Sequence, residues 1–211
     1  MSLQFQVGLP YPGRVARPKS YSPELRDKLI DSSAERLALG GTDGLSLRDL
    51  AQSVGTSTNA VYTIFGGKDE LIRTVVSEAL RRFQIDQLEA LGDSDDTECL
   101  FSLARSYRAW ALGHQSMYKV MFGNGPHQMN PIGAGEGGPL LAAIRRLQAS
   151  GALIDGDPAQ MHRCLWAAIH GWVMLELGAP AQPGSDEQFE RFLAFGLRGY
   201  LATSMELAAA S

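Results

Sequence analysis

The chain has 211 residues, 45% of them hydrophobic and 20% charged. That supplies enough apolar material for one large helical domain, or a small domain joined to a larger one, and excludes global disorder. A net charge of −4 excludes a protein that coats nucleic acid in bulk, and no uninterrupted apolar run reaches transmembrane length.

Residues 1–21 carry no acidic group, and Pro10, Pro12, Gly13 and Pro18 prevent regular structure. Arg14, Arg17 and Lys19 make the stretch basic. A disordered tail is the plain reading. The sharper one is an arm that reaches a DNA minor groove or backbone through Arg17 and Lys19. The stretch lacks the apolar core of a secretory signal, so a cytoplasmic setting is expected.

Ser22-Pro23-Glu24 reads as a helix start: a capping hydroxyl, a proline at the first helical position, then an acid near the positive end of the dipole. Leu25, Leu29, Ile30, Ala34, Leu37 and Ala38 form a helical stripe, which Gly40-Gly41 ends. Ser46 caps a second helix, with Asp49 in the reach-back position and Leu47, Leu50, Ala51 and Val54 on its buried face. Gly55 supplies a sharp turn. A third helix runs from about Ser57 to Phe65, burying Val61 and Phe65, before Gly66-Gly67 breaks the chain.

From Lys68 a helical pattern continues to about Leu91 through Leu71, Ile72, Val75, Val76, Ala79, Leu80, Phe83 and Leu88. A helix of that length spans roughly 36 Å and belongs to both halves of the molecule. Further helices are expected from about Thr97 to Gly113 and from Gln115 to Phe122. After a Gly/Pro-rich loop they resume near Pro139–Ser150, Pro158–Gly178 and Asp186–Leu207. Asp157-Pro158, and Ser185 with Gln188, mark the last two starts. No segment reads as a strand. The expected fold class is all-α, with about nine helices.

The third helix carries the chemistry. With Val61 and Phe65 inward, helical geometry turns Thr58, Asn59, Tyr62 and Thr63 outward. Asn pairs bidentately with adenine, and Thr offers a hydroxyl and a methyl to base edges. Arg48 is placed to reach guanine or the backbone, and Lys68 opens a helix whose free amides already favour an anion. Lys68, Tyr62 and Ser46 are expected to position the protein on phosphates and Arg48, Thr58, Asn59 and Thr63 to read bases, with Ser57 a further DNA-binding candidate. The bland alternative is a helical hairpin whose polar face is merely solvated. Residues 1–82 hold 11 Lys/Arg against 9 Asp/Glu and residues 83–211 hold 8 against 14, which suits a protein presenting only its front to phosphates.

Residues 22–82 resemble the DNA-binding domain of the tetracycline-repressor (TetR) family. The resemblance is carried by LSLRDLAQSVGTSTNAVYTIFGGKDEL: Ser46 before Arg48-Asp49, Ala51 and Gly55 before the turn, then Val61-Tyr62, Phe65 and Lys68. Ile64 departs from the pattern, standing where the family often carries His or Tyr. The resemblance implies a front DNA-binding domain (22–82) behind a flexible basic arm (1–21), and a rear ligand-binding and dimerisation domain (83–211).

In the rear half, Gly171, Gly178, Gly196 and Gly199 fall inside expected helices, where glycine costs up to about 1 kcal/mol relative to alanine. Such glycines suit close approach of another helix. Phe189, Phe192, Phe195, Leu197, Tyr200 and Leu201 wrap the last helix almost all round. A homodimer through the last two helices is expected, against the alternative of a central core helix in a monomer; the family resemblance favours the dimer. Tyr107, Trp110, Met117, Met121, Phe122, Trp166 and His170 suggest a mostly apolar pocket for a small apolar or amphipathic effector, with His170 as a polar handle or a bonded core histidine. LWAAIHGWVMLELG resembles the C-terminal domain of a TetR subgroup named for its Trp–His–Gly signature. Cys99 and Cys164 sit near no paired ligand and read as small buried residues in a reducing compartment.

Together these point to a ligand-responsive transcriptional regulator, commonly a repressor, that binds a palindromic double-stranded operator as a homodimer. No cofactor, metal or membrane partner is expected. No nucleophile elbow, P-loop, dinucleotide loop or metal-spaced cluster supports an enzyme. The rival reading is an all-α small-molecule-binding protein without specific DNA binding.

Overall fold

The structure is a computed structural model that describes residues 21–92, 96–123, 138–178 and 184–201. Most of the basic arm, with Arg17 and Lys19, lies outside the described residues, as do the interior of the Gly/Pro-rich loop and the chain after residue 201. The described residues form helices α1 (Pro23–Gly40), α2 (Leu47–Ser53), α3 (Thr58–Phe65), α4 (Lys68–Leu91), α5 (Glu98–Gly113), α6 (Gln115–Phe122), α7 (Pro139–Ala149), α8 (Pro158–Gly178) and α9 (Asp186–Arg198).

Local chemistry sets most of the boundaries. Ser22, Ser46, Ser57 and Ser185 each accept a hydrogen bond from a backbone N–H in the first turn of the helix that follows. At α9 the bond is reciprocal, because Gln188 accepts from the Ser185 backbone N–H at 2.9 Å. Between α2 and α3, Gly55 adopts φ 75°, and Gly66 closes α3 at φ 84°. Both turns need a left-handed conformation that a side chain would resist.

The expected α1 stripe is present, with Leu29, Ile30 and Ala34 fully inside. In α4 the pattern shifts. Leu88 is exposed and Gln87 is buried in its place, because the inward positions continue at four-residue steps through Val75, Ala79 and Phe83. α9 stops at Arg198 rather than continuing to Leu207, and Leu201 forms an isolated antiparallel bridge with Leu153.

α1 packs on α4 and α6, so front and rear share one continuous core running from Leu29 and Leu50 to Met121 and Val173. A second core joins α5, α7, α8 and α9 through Leu103, Ile144, Met161, Leu165 and Leu197. α4 contacts α1, α3, α5, α6 and α7, which bears out its expected role in both halves. Among the described residues no helix is long and apolar enough to cross a membrane.

Candidate nucleic-acid interface and ligand cavity

α2 and α3 form a helical hairpin whose inner face is closed by Leu50, Ala51, Ala60, Val61 and Phe65. The outer face of α3 is polar. Asn59 and Thr63 are exposed, Thr58 is half-buried, and Tyr62 keeps 52% of its surface in solvent. The eight residues of α3 make a rod of about 12 Å, short enough to enter a major groove end-on.

Some hydroxyls are already occupied. Ser46 accepts from Asp49 N–H at 3.3 Å and Ser57 accepts from Ala60 N–H at 3.2 Å. Each still has its hydroxyl proton to donate to a phosphate. Thr63 donates to the Asn59 carbonyl at 2.8 Å, so its hydroxyl proton is already engaged within α3. Arg48 is exposed in the first turn of α2, and half-buried Lys68 opens α4. Ile64 is partly buried against the core, so its side chain is spent on packing.

At the rear, a cavity of about 100 Å³ lies among α4, α5, α6, α8 and the start of α7. Tyr107, Met121, Phe122 and Trp166 line it; Trp110, Met117 and His170 do not. Trp110 is buried edge-on against Phe83 at 5.2 Å. Met117 packs beside Arg82, whose guanidinium reaches its sulfur at 3.8 Å.

His170 sits behind the cavity wall. Its Nδ1 is 2.7 Å from the Tyr118 hydroxyl and 3.1 Å from that of Tyr107, and the two hydroxyls are 3.1 Å apart. Burial lowers the His170 pKa and raises those of both tyrosines, most at Tyr107, where Tyr118 adds to it. A neutral ring with its proton on Nε2 satisfies the triangle: Tyr118 donates to His170 and Tyr107 donates to Tyr118. His170 is thus a bonded core histidine joining α5, α6 and α8.

Residues 29–75 match the family described as bacterial regulatory proteins, tetR family, and residues 100–198 match the domain described as tetracyclin repressor-like, C-terminal domain. The chain belongs to the TetR family. The HTH-type transcriptional regulator Rv1816 of Mycobacterium tuberculosis is 26% identical over 117 residues, covering 53% of this chain and 49% of the relative. Tetracycline repressor protein class D of Escherichia coli is 32% identical over 103 residues, covering 49% of this chain and 47% of that one. The chain thus spans about half the length of both curated relatives. A protein of unknown function from Rhodococcus sp. RHA1 shares the fold, with a TM-score of 0.70 at 23% identity over 88% of this chain and 99% of its own.

This TetR-family chain holds cavity residues that the aromatic pattern did not reveal: Leu80, Phe83, Gln84 and Gln87 from α4, and His162 from α8. Gln87 was discoverable from the four-residue step after Phe83. His162 lies on the face of α8 that carries Trp166 and Ile169. Cys164 is exposed on α8, correcting the expectation that both cysteines are buried; only Cys99 is inside.

The TetR-family rear also bears a bare apolar stripe. Cys164, Ala167, Ala168, Gly171, Met174 and Leu175 are exposed along α8, and Phe195 on α9 is 82% exposed. A Cβ added at Gly171, Gly178, Gly196 or Gly199 would meet nothing within 4 Å, so packing inside this chain does not require these glycines. Among the described residues no group of three or more His, Cys, Asp or Glu is placed to hold a metal ion.

Proposed function

We propose that this chain is a cytoplasmic, ligand-responsive repressor that binds a palindromic DNA operator as a homodimer and leaves it when a small molecule occupies the rear cavity. One observation carries the reading: Tyr62 and Asn59 stand exposed on a short helix whose other face is locked by Val61 and Phe65. In this reading Asn59, Thr58, Thr63 and Arg48 face base edges. Tyr62, Lys68, Ser46, Ser57 and the arm residues Arg17 and Lys19 hold phosphates.

The exposed stripe on α8 and α9 is the dimer surface. Two copies joined there present two α3 helices to successive major grooves, about 34 Å apart. Residues 22–82 form the DNA-binding unit and residues 83–211 the ligand-binding and dimerisation unit. The segment LWAAIHGWVMLELG supports membership of the Trp–His–Gly subgroup, with Ile169 standing before His170-Gly171.

α4 is the transmission element. Gln84 lies at the cavity and Lys68 at the DNA face, roughly 24 Å apart along one helix. A ligand acts only through its different affinity for two arrangements of that helix. The double variant Tyr62→Ala/Lys68→Ala tests the reading by fluorescence anisotropy on duplexes recovered by the wild type. Loss of binding with an unchanged melting curve supports it, and retained affinity contradicts it.

A further inference from the structure

The cavity walls come from five helices, yet among the described residues no Asp, Glu, Lys or Arg is in the lining. The nearby ionised groups are engaged or face water. On α4, Arg82 is held by Asp31 and Glu78. On α5, Arg105 pairs with Glu98 and Glu190, and Arg108 with Glu176 and Asp186. On α6 and α8, Lys119 and Arg163 are exposed and do not line the space.

The lining does offer neutral hydrogen-bonding groups. Gln87 is buried, and both of its hydrogen bonds use the amide nitrogen, which donates to Ser106 Oγ at 2.9 Å and to the Leu103 carbonyl at 3.4 Å. Its amide oxygen remains as an acceptor. His162 is buried, and desolvation, helped by the charge of Arg163, holds its imidazole below the usual histidine pKa. A neutral imidazole both donates and accepts. The flat walls are Phe83, Phe122 and Trp166.

We infer that the cavity selects an uncharged, ring-sized aromatic ligand carrying one hydroxyl or amide, read by Gln87 and His162, and rejects the carboxylate and ammonium counterparts of the same skeleton. This rests on reading the cavity as the effector site. The physical reason is the neutral lining. A charge moved from water into this space would lose part of its hydration shell and, among the described lining residues, find only neutral partners. The enclosed part, near 100 Å³, is on the scale of one ring.

The test uses three probes of one shape: benzyl alcohol, benzoate and benzylammonium, titrated at neutral pH against the full chain by tryptophan fluorescence. Benzyl alcohol should bind about 100-fold more tightly than either ion. Gln87→Leu should weaken benzyl alcohol, and Gln84→Lys, which sets an ammonium at the exposed edge of the cavity, should bring in benzoate. The Gln84 arm keeps the test decisive if Gln87→Leu fails to fold. Benzoate or benzylammonium binding the wild type as tightly as the alcohol overturns the inference and leaves the effector cavity standing. Binding by none of the three overturns the effector cavity itself, and the inference with it.

Discussion

Arg108 on α5 and Glu176 on α8 face each other in a two-pronged ion pair, with Nε 2.8 Å and Nη2 3.0 Å from the two carboxylate oxygens. The Glu176 side chain is 4% exposed and that of Arg108 13%, so neither charge is well solvated. Arg108 also reaches Asp186 at 2.7 Å and the Gly184 carbonyl at 3.0 Å, and it covers the Phe189 ring. One guanidinium thus ties the start of α9 to the helix that carries Tyr107 into the cavity wall.

Removing one partner of that pair strands the other. Arg108→Ala should cost about 3 kcal/mol of unfolding free energy by urea titration, because it leaves a buried carboxylate unpaired. Arg108→Met with Glu176→Met should recover most of the loss. A cost below about 1 kcal/mol for the single change would show that water reaches Glu176.

The α4 network gives a pH dependence. Hydrogen bonding from Arg81 first, and also from Arg82, holds the Glu78 carboxyl at about 2, from an ordinary value of 4.5. The folded state therefore binds fewer protons than the unfolded one in this window. The stabilisation is complete above 4.5 and is lost as pH falls toward about 2. Glu78→Gln should flatten that part of the stability curve, measured by thermal melting across acid buffers. An unchanged acid limb would contradict the assignment.

The buried triangle predicts a second acid effect. His170 is held neutral by burial, so protonation favours the unfolded chain once pH falls below the ordinary value of 6.5. Tyr118→Phe removes the donor 2.7 Å from Nδ1 and should cost only about 0.5–1.5 kcal/mol, because the Tyr107 hydroxyl, 3.1 Å from Nδ1, can turn to donate there instead. Adding Tyr107→Phe leaves Nδ1 with neither hydroxyl and should cost more; denaturant titration of both variants checks this, and equal stabilities would contradict the rescue by Tyr107.

The outward residues of α3 were legible in the sequence for a local reason. A cap, a four-residue step and a turn glycine decide which side of α3 points out, and all three lie within Ser57–Gly66. The cavity was less legible because its walls come from helices far apart in the chain. Aromatic composition found Tyr107 and Trp166, but it could not tell a wall from the layer behind it. His170 and Trp110 therefore read as pocket groups, although they support the wall. Gln87 escaped notice because a polar residue on an apolar stripe looks like a break in the pattern. Cys164 read as buried because a small apolar residue on a largely apolar helix gives no sign of which face it occupies.

The bare stripe on α8 and α9 gives a direct test of assembly. Phe195 is already 82% exposed, so Phe195→Glu should leave the folded chain intact while disfavouring a self-complementary apolar contact. Sedimentation should show a dimer for the wild type and a shift toward single chains for the variant. A wild type that sediments as a monomer would remove the basis for a palindromic site.

The central claim is that two copies of the Thr58–Tyr62 surface read one duplex together. Selecting duplexes from a random-sequence pool with the full chain, and aligning those retained as salt is raised, measures this directly. The account predicts an inverted repeat whose half-sites lie about one helical turn, or a multiple of it, apart, and whose enrichment disappears with Asn59→Ala/Tyr62→Ala. Recovery of unrelated sequences, or of the same repeat by the double variant, would contradict it.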